Sequence, residues 1–334
     1  MNAWKYSGFQ LSVGLLVGAC AVIGCAGSKD SAPDSFDMSE YRKMLERQKN
    51  EQAARDEAEP KAPEMTAEEH ERAGDADVQR RNFPLAGLHY SKALKADSTR
   101  NSARLKLGQI FLQQGMLEAA LTQFQDLQTR DPKSAPAQQG IGHVYLLQGK
   151  MQAAETAITK AIALDRSSWL SHNLLGLVYD QEQRYVDAIT EYKTALALRP
   201  REPSVLNNLG LSYALSGDHE AAIQAYEQAI ASGTPTQKLY NNLGVSYVRR
   251  QRYADALDAF KKATDEPRAY NNLGVSLLGM GNAKLAAACF EKAIELNPQY
   301  YEKANENLRQ ARQMLGSSAN GASASGSTDV VSCP

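Results

Sequence analysis

The apolar residues of this chain fall at helical spacing in short, paired blocks. Leu206, Leu209 and Tyr213 stand at i, i+3 and i+7, which is one face of a helix. Ala222, Ile223, Tyr226, Ala229 and Ile230 make a second such face, and Ser216-Gly217-Asp218 between them is a turn signal. The pattern predicts two helices joined by a tight turn, and it recurs. Glycine stands at Gly74, Gly108, Gly142, Gly176, Gly210, Gly244 and Gly274, spaced by 34 residues five times and then by 30. Twelve residues after each glycine comes an alanine, from Ala86 to Ala286. Four further on comes a large residue: Tyr90, Phe124, Ile158, Tyr192, Tyr226, Phe260 and Phe290. Pro132, Pro200 and Pro298 close three of the units.

Counting each glycine as position 8 puts the alanine at position 20 and the large residue at position 24. A glycine inside a helix costs about 1 kcal/mol relative to alanine. Keeping one in the same register of every unit makes sense where two helices must touch. No unit can bury its face alone, so stability has to come from neighbouring units. A 34-residue period with these registers resembles the tetratricopeptide repeat. The resemblance covers Ala67 to Leu315. It implies an all-α solenoid of about seven helix-turn-helix units in a right-handed superhelix, ending in a capping helix from Tyr301 to Leu315. Two units depart from the pattern. The first carries Asp77 where the others have an aromatic residue or Leu, and so resembles a polar N-terminal cap. The sixth lacks four residues after Ala263, close to one helical turn. Its second helix is expected to lose a turn, with a bend near Thr264 to Pro267.

The ends of the chain read differently. Lys5 precedes an uncharged stretch from Tyr6 to Ser28, apolar from Phe9 to Ile23, which is the pattern of a secretory signal. An uncleaved membrane anchor is the alternative. Val22-Ile23-Gly24-Cys25 resembles the bacterial lipobox, with Val17-Gly18-Ala19-Cys20 a poorer second candidate. The resemblance implies cleavage after residue 24 and lipid attachment at Cys25, where two or three acyl chains anchor stably. Ala26 and Gly27 follow in place of the Asp that favours inner-membrane retention, which implies the outer membrane, facing the periplasm. Residues 25–66, rich in charge and Ser, Ala and Pro, are expected to be a partly helical tether with little to bury. Residues 316–334, Gly/Ser/Ala-rich, are expected to be a disordered tail.

Composition narrows the function. Lys and Arg number 37 against 38 Asp and Glu, so the net charge of −1 argues against a nucleic-acid binder. Four scattered cysteines form neither a disulfide framework nor a metal-ligand spacing. A Cys289–Cys333 bond is left open by the sequence, and Cys289 is otherwise expected to be a small packed residue. His70, His89, His143, His172 and His219 stand at unrelated positions of different repeats, so no shared metal site is expected. No phosphate-binding loop or nucleophile-base motif is present. The chain is read as non-enzymatic, without cofactor or metal.

The resemblance places positions 2, 5, 9, 12 and 13 of each first helix on a concave, ligand-facing surface. Position 5 reads Asn173, Asn207, Asn241 and Asn271 in four successive units, and position 9 reads Leu177, Leu211, Val245 and Val275. Asparagine offers amide donors and a carbonyl acceptor suited to a peptide backbone, and an apolar stripe beside it suits side chains. These eight residues are the candidate groove. The asparagines have a second reading: Asn near this register is common in the repeat generally, and Asn208, Asn242 and Asn272 at position 6 would then bond neighbouring backbone. Glu68, Glu71 and Asp75 put acid at one end, and Lys238, Arg249 and Arg268 put base at the other. Lipobox, tether and repeats together resemble the tetratricopeptide lipoproteins of type IV and tight-adherence pilus assembly. They imply a lipid-anchored scaffold for protein or peptide partners. An adaptor docking peptidoglycan enzymes or proteases is the alternative. Asn-Asn-Leu-Gly runs like those of repeat-bearing glycosyltransferases give a remote third.

Overall fold

The computed structural model describes residues 38–56, 65–233, 235–297, 301–319 and 332–334. Every regular element among them is an α-helix. The chain divides into two compact units, one up to Gln148 and one from Gly149. The first holds α1 (Met38–Asp56), α2 (Ala67–Gln79), α3 (Phe83–Ala96), α4 (Asn101–Gln113), α5 (Leu117–Arg130) and α6 (Ala135–Leu147). The second holds α7 (Met151–Leu164), α8 (Trp169–Gln181), α9 (Tyr185–Leu198), α10 (Pro203–Ser216), α11 (His219–Ser232), α12 (Gln237–Arg249), α13 (Tyr253–Ala263), α14 (Glu266–Gly279), α15 (Ala283–Leu296) and α16 (Tyr301–Ala319).

Local chemistry sets the boundaries. Thr66 and Glu69 form a capping box at α2, with Glu69 N–H donating to Thr66 Oγ1 at 3.2 Å and Thr66 N–H to Glu69 Oε2 at 2.7 Å. Ser168, Thr236 and Asp265 cap α8, α12 and α14 through their side-chain oxygens. Pro203 and Pro267 sit in first turns, where the missing N–H costs nothing. The turn between paired helices needs a left-handed residue at position 15. Gly115, Gly149, Gly217 and Gly281 supply it in four units, but Arg81, Gln183 and Gln251 hold φ near +60° in the others.

The glycine register works by close approach. A Cβ on Gly210 would stand 2.6 Å from Tyr226 Cε1, and one on Gly74 would stand 2.5 Å from Tyr90 Cε1. The same clash would meet Gly108, Gly176, Gly244 and Gly274 at the ring of their own unit. Tyr90, Phe124, Tyr192, Tyr226, Phe260 and Phe290 are all fully buried there. Within each compact unit, first helices pack on their second helices and second helices on the next first helix, so its core runs along the stack.

The shortened sixth repeat ends α13 after 11 residues, where α9, α11 and α15 run 14. The C-terminal helix packs through Ala304, Leu308 and Ala311 and continues past Leu315 to Ala319, so its first four tail residues are helical. Ser332–Pro334 are also placed, because Cys333 is bonded to Cys289 with the two Cα atoms 4.9 Å apart. The expected cap residue Asp77 is buried. It lies 3.7 Å from His89 Nε2 and 3.9 Å from Arg80. The proposed signal, Cys20 and Cys25 lie outside the described residues. Among the described residues, no helix is long and apolar enough to cross a membrane.

Candidate ligand-binding groove

On each first helix of the second unit, positions 5, 9 and 13 follow at i, i+4 and i+8 and share a face. On α12 these are Asn241, Val245 and Arg249; on α10 they are Asn207, Leu211 and Leu215. The candidate groove residues are therefore brought together along successive first helices, but they do not present themselves alike. Val245 is 41% exposed and Leu215 is 38% exposed. Leu211 and Val275 are half-buried, and Leu177 is buried. Lys238 and Arg249 are exposed and form no ion pair among the described residues.

The asparagines stitch the stack. Asn208 Nδ2 donates to Asn173 Oδ1 at 3.1 Å, Asn272 Nδ2 to Asn241 Oδ1 at 3.4 Å, and Asn307 Nδ2 to Asn271 Oδ1 at 2.9 Å. In each case position 5 of one unit accepts from the following first helix. Asn173 and Asn271 are buried at 7% and 3% exposure, so their bonds satisfy groups that water reaches poorly. The ladder breaks once. Asn207 Nδ2 turns to Asn208 Oδ1 at 3.5 Å, and the Nδ2 of Asn242 is buried without a partner. The amide nitrogens of Asn173, Asn241 and Asn271 make no hydrogen bond among the described residues.

The acidic end foreseen at Glu71 and Asp75 lies in the first unit and is neutralised from within. Glu71 accepts from Arg100 Nε and Ser102 Oγ at 3.0 Å each and from Lys106 Nζ at 2.8 Å. Burial alone would raise its carboxyl, but the bonds from Lys106, Ser102 and Arg100 prevail and hold it below its ordinary range. Lys106 also reaches Asp75 Oδ2 at 2.8 Å, and Tyr90 OH donates to Asp75 Oδ1 at 2.8 Å.

Two features escaped the sequence reading. Asp180 on α8 accepts from Tyr192 OH at 2.8 Å and Ser212 Oγ at 2.6 Å, tying three helices, and burial pushes its carboxyl up to about 6. The histidines are not unrelated: His70 and His89 meet with Nδ1 atoms 3.2 Å apart, and His172 Nδ1 meets Glu191 Oε2 at 2.7 Å. Both contacts join position 4 to position 23, and their common 19-residue separation was the available signal. The Cys289–Cys333 bond, which the sequence left open, is formed. Among the described residues, no group of three or more His, Cys, Asp or Glu is placed to hold a metal.

Helix pairs locked by a glycine, an alanine and a ring, stacked through their neighbours, define a tetratricopeptide-repeat scaffold. A family model described as the cilia and flagella-associated protein 70 C-terminal domain matches residues 35–263, more than half of the chain, and the chain belongs to that family. The tetratricopeptide-repeat model matches residues 267–300. No curated protein sequence matches the chain. Among solved structures, the APC/C hetero-tetramer Cut9-Hcn1 is similar at TM-score 0.54 and 22% identity, over 72% of this chain; this chain spans only 47% of that one. A tetratricopeptide-repeat protein of Parabacteroides merdae gives TM-score 0.50 at 18% identity, over 74% of this chain and 98% of the other. The pilF protein of Pseudomonas aeruginosa gives 0.50 at 20%, over 64% and 96%. These likenesses show the fold.

Proposed function

We propose that the chain is a lipid-anchored scaffold of the bacterial cell envelope, seating a protein or peptide segment along the first helices of its second unit. The observation that carries this reading is the face of α12 and α10. Val245 and Leu215 are open there, and Lys238 and Arg249 stand beside them without ion pairs. An apolar strip edged by unpaired cations suits an extended segment with apolar and acidic side chains. The anchor reading rests on the lipobox resemblance at Cys25. The Cys289–Cys333 bond supports export, since disulfides persist mainly in oxidising compartments. Within the envelope, the architecture of lipobox, tether and repeats favours assembly of a pilus or secretion machine.

The test is co-purification from native membranes with Val245→Asp/Arg249→Glu beside the unaltered chain. These two side chains are exposed, so thermal unfolding should not change while partners are lost. Retention of every partner sinks the groove reading. The Asn173/Asn207/Asn241/Asn271→Ala variant is a poorer probe, because three of its four carbonyls hold the stack together. Palmitate labelling with a Cys25→Ala control tests the anchor.

A further inference from the structure

The second helices of neighbouring repeats leave clefts on the side away from positions 5, 9 and 13, floored by position 4 of the first helix between them. One such cleft, of about 270 Å³, opens between α11, α12 and α13. Its walls carry Glu227, Asp255 and Asp258, its floor the rings of Tyr240 and Tyr247, and Lys262 lies among its described lining residues. One repeat further on, the equivalent of Ala259 is Cys289, since each directly precedes the ring residue of its unit. That position holds Cys333 by the disulfide, so the chain's own C-terminal residues occupy the register that is open in the preceding repeat. The outer face thus already holds Cys333 at this register once.

The two clefts differ in charge. Glu227, Asp255 and Asp258 correspond to Lys261, Leu285 and Ala288 in the occupied cleft, and to Lys193, Ala221 and Gln224 in the cleft before. Acid is therefore peculiar to the open cleft among these three. Tyr247 OH donates to Glu227 Oε1 at 2.6 Å, which fixes that carboxylate at the rim. Arg252 shows how a guanidinium meets this wall. Its Cζ lies 4.4 Å from the Tyr247 ring centroid while its Nε donates to Asp255 Oδ2 at 2.7 Å. Lys262 Nζ lies 5.9 Å from the Tyr240 ring centroid. Asp258 forms no ion pair among the described residues. Arg252 sits on Asp255, Lys262 lies nearby, and Lys261, which Asp258 also faces, is bonded to Glu266 at 2.7 Å, so cations do not exceed the carboxylates here.

We propose that the cleft between α11, α12 and α13 is a second docking site, separate from the groove face, for an extended partner segment presenting an arginine or lysine side chain. The cation lies against the Tyr240 and Tyr247 rings and is held by Glu227 and Asp258. The geometry favours arginine, whose planar group stacks on a ring while it donates to a carboxylate.

The probe is a set of blocked tripeptides with a central Arg, Lys, Gln or Glu, titrated into the full chain and followed by amide NMR shifts. The arginine peptide should shift residues of α11–α13, lysine less, and Gln and Glu not at all. Glu227→Gln/Asp258→Asn should weaken the arginine peptide about ten-fold, the loss expected for charge-assisted bonds. Lys262→Ala, which unmasks the acid, should strengthen it, so the outcome does not depend on one variant folding. Val245→Asp/Arg249→Glu should leave it unchanged, which separates this site from the groove. Equal response to Glu and Arg peptides, shifts mapping elsewhere, undiminished binding in the double variant, or no response at millimolar peptide each overturns the proposal.

Discussion

The first and second units fill one structural slot with different chemistry. In the second unit, position 5 accepts from position 6 of the next first helix through amides, as in Asn173 with Asn208. In the first unit the same slot holds Glu71 and Lys106, with Arg100 and Ser102 added to the carboxylate. The backbone geometry of the stack is shared, so the slot requires a donor opposite an acceptor and is indifferent to charge. What charge changes is the response to conditions. An ion pair with a half-exposed lysine weakens with salt and with acid; an amide pair feels neither.

The largest effect expected separates the units covalently. Reducing the Cys289–Cys333 bond, or Cys333→Ser, should cost the second unit about 4 kcal/mol from loop closure and leave the first unit alone, read by unit-resolved hydrogen exchange. Equal loss in both units would break the comparison. Glu71→Ala should cost the first unit about 3 kcal/mol, because Arg100 and Lys106 lose their buried carboxylate. Its contribution is present above the ordinary glutamate range and is lost as pH falls through the lowered native value. Asp180 has the opposite sign. Its native value of about 6 lies above that of the unfolded chain, so the second unit should lose on the order of 2 kcal/mol as pH rises from 4 to 6. Urea unfolding across that range checks it, and Asp180→Asn should flatten the slope. Asn271→Ala should cost only about 1 kcal/mol, and salt should not alter it. Smallest is Gln251→Gly, which should stabilise by under about 1 kcal/mol by relieving a left-handed turn.

The glycine, alanine and ring registers were legible because a contact repeated at fixed spacing writes itself into the period. The four-residue gap after Ala263 likewise foretold the short α13. The asparagine register was visible, but its main use was not. Pairing of Asn271 with Asn307 depends on how α16 stacks, and α16 lies outside the period. Asp180 gave no signal, because its partners Tyr192 and Ser212 come from two other helices. At the tail, composition speaks only of Gly/Ser/Ala, while one thiol, 44 residues from its partner, decides where Cys333 goes. At position 15 the sequence signal for a left-handed turn is glycine, so Arg81, Gln183 and Gln251 gave none.

The amide stitches also carry a clock. Asparagine is among the chemically least durable side chains, losing ammonia to become a carboxylate when its backbone is free to bend back on it. In the paired state a helical backbone holds Asn173, Asn241 and Asn271 away from that geometry. Each loss would place an anion where a neutral oxygen now accepts, and would turn the slot of the second unit toward the chemistry of the first without the lysine that completes it. The ageing of these residues should therefore record how often each repeat comes open.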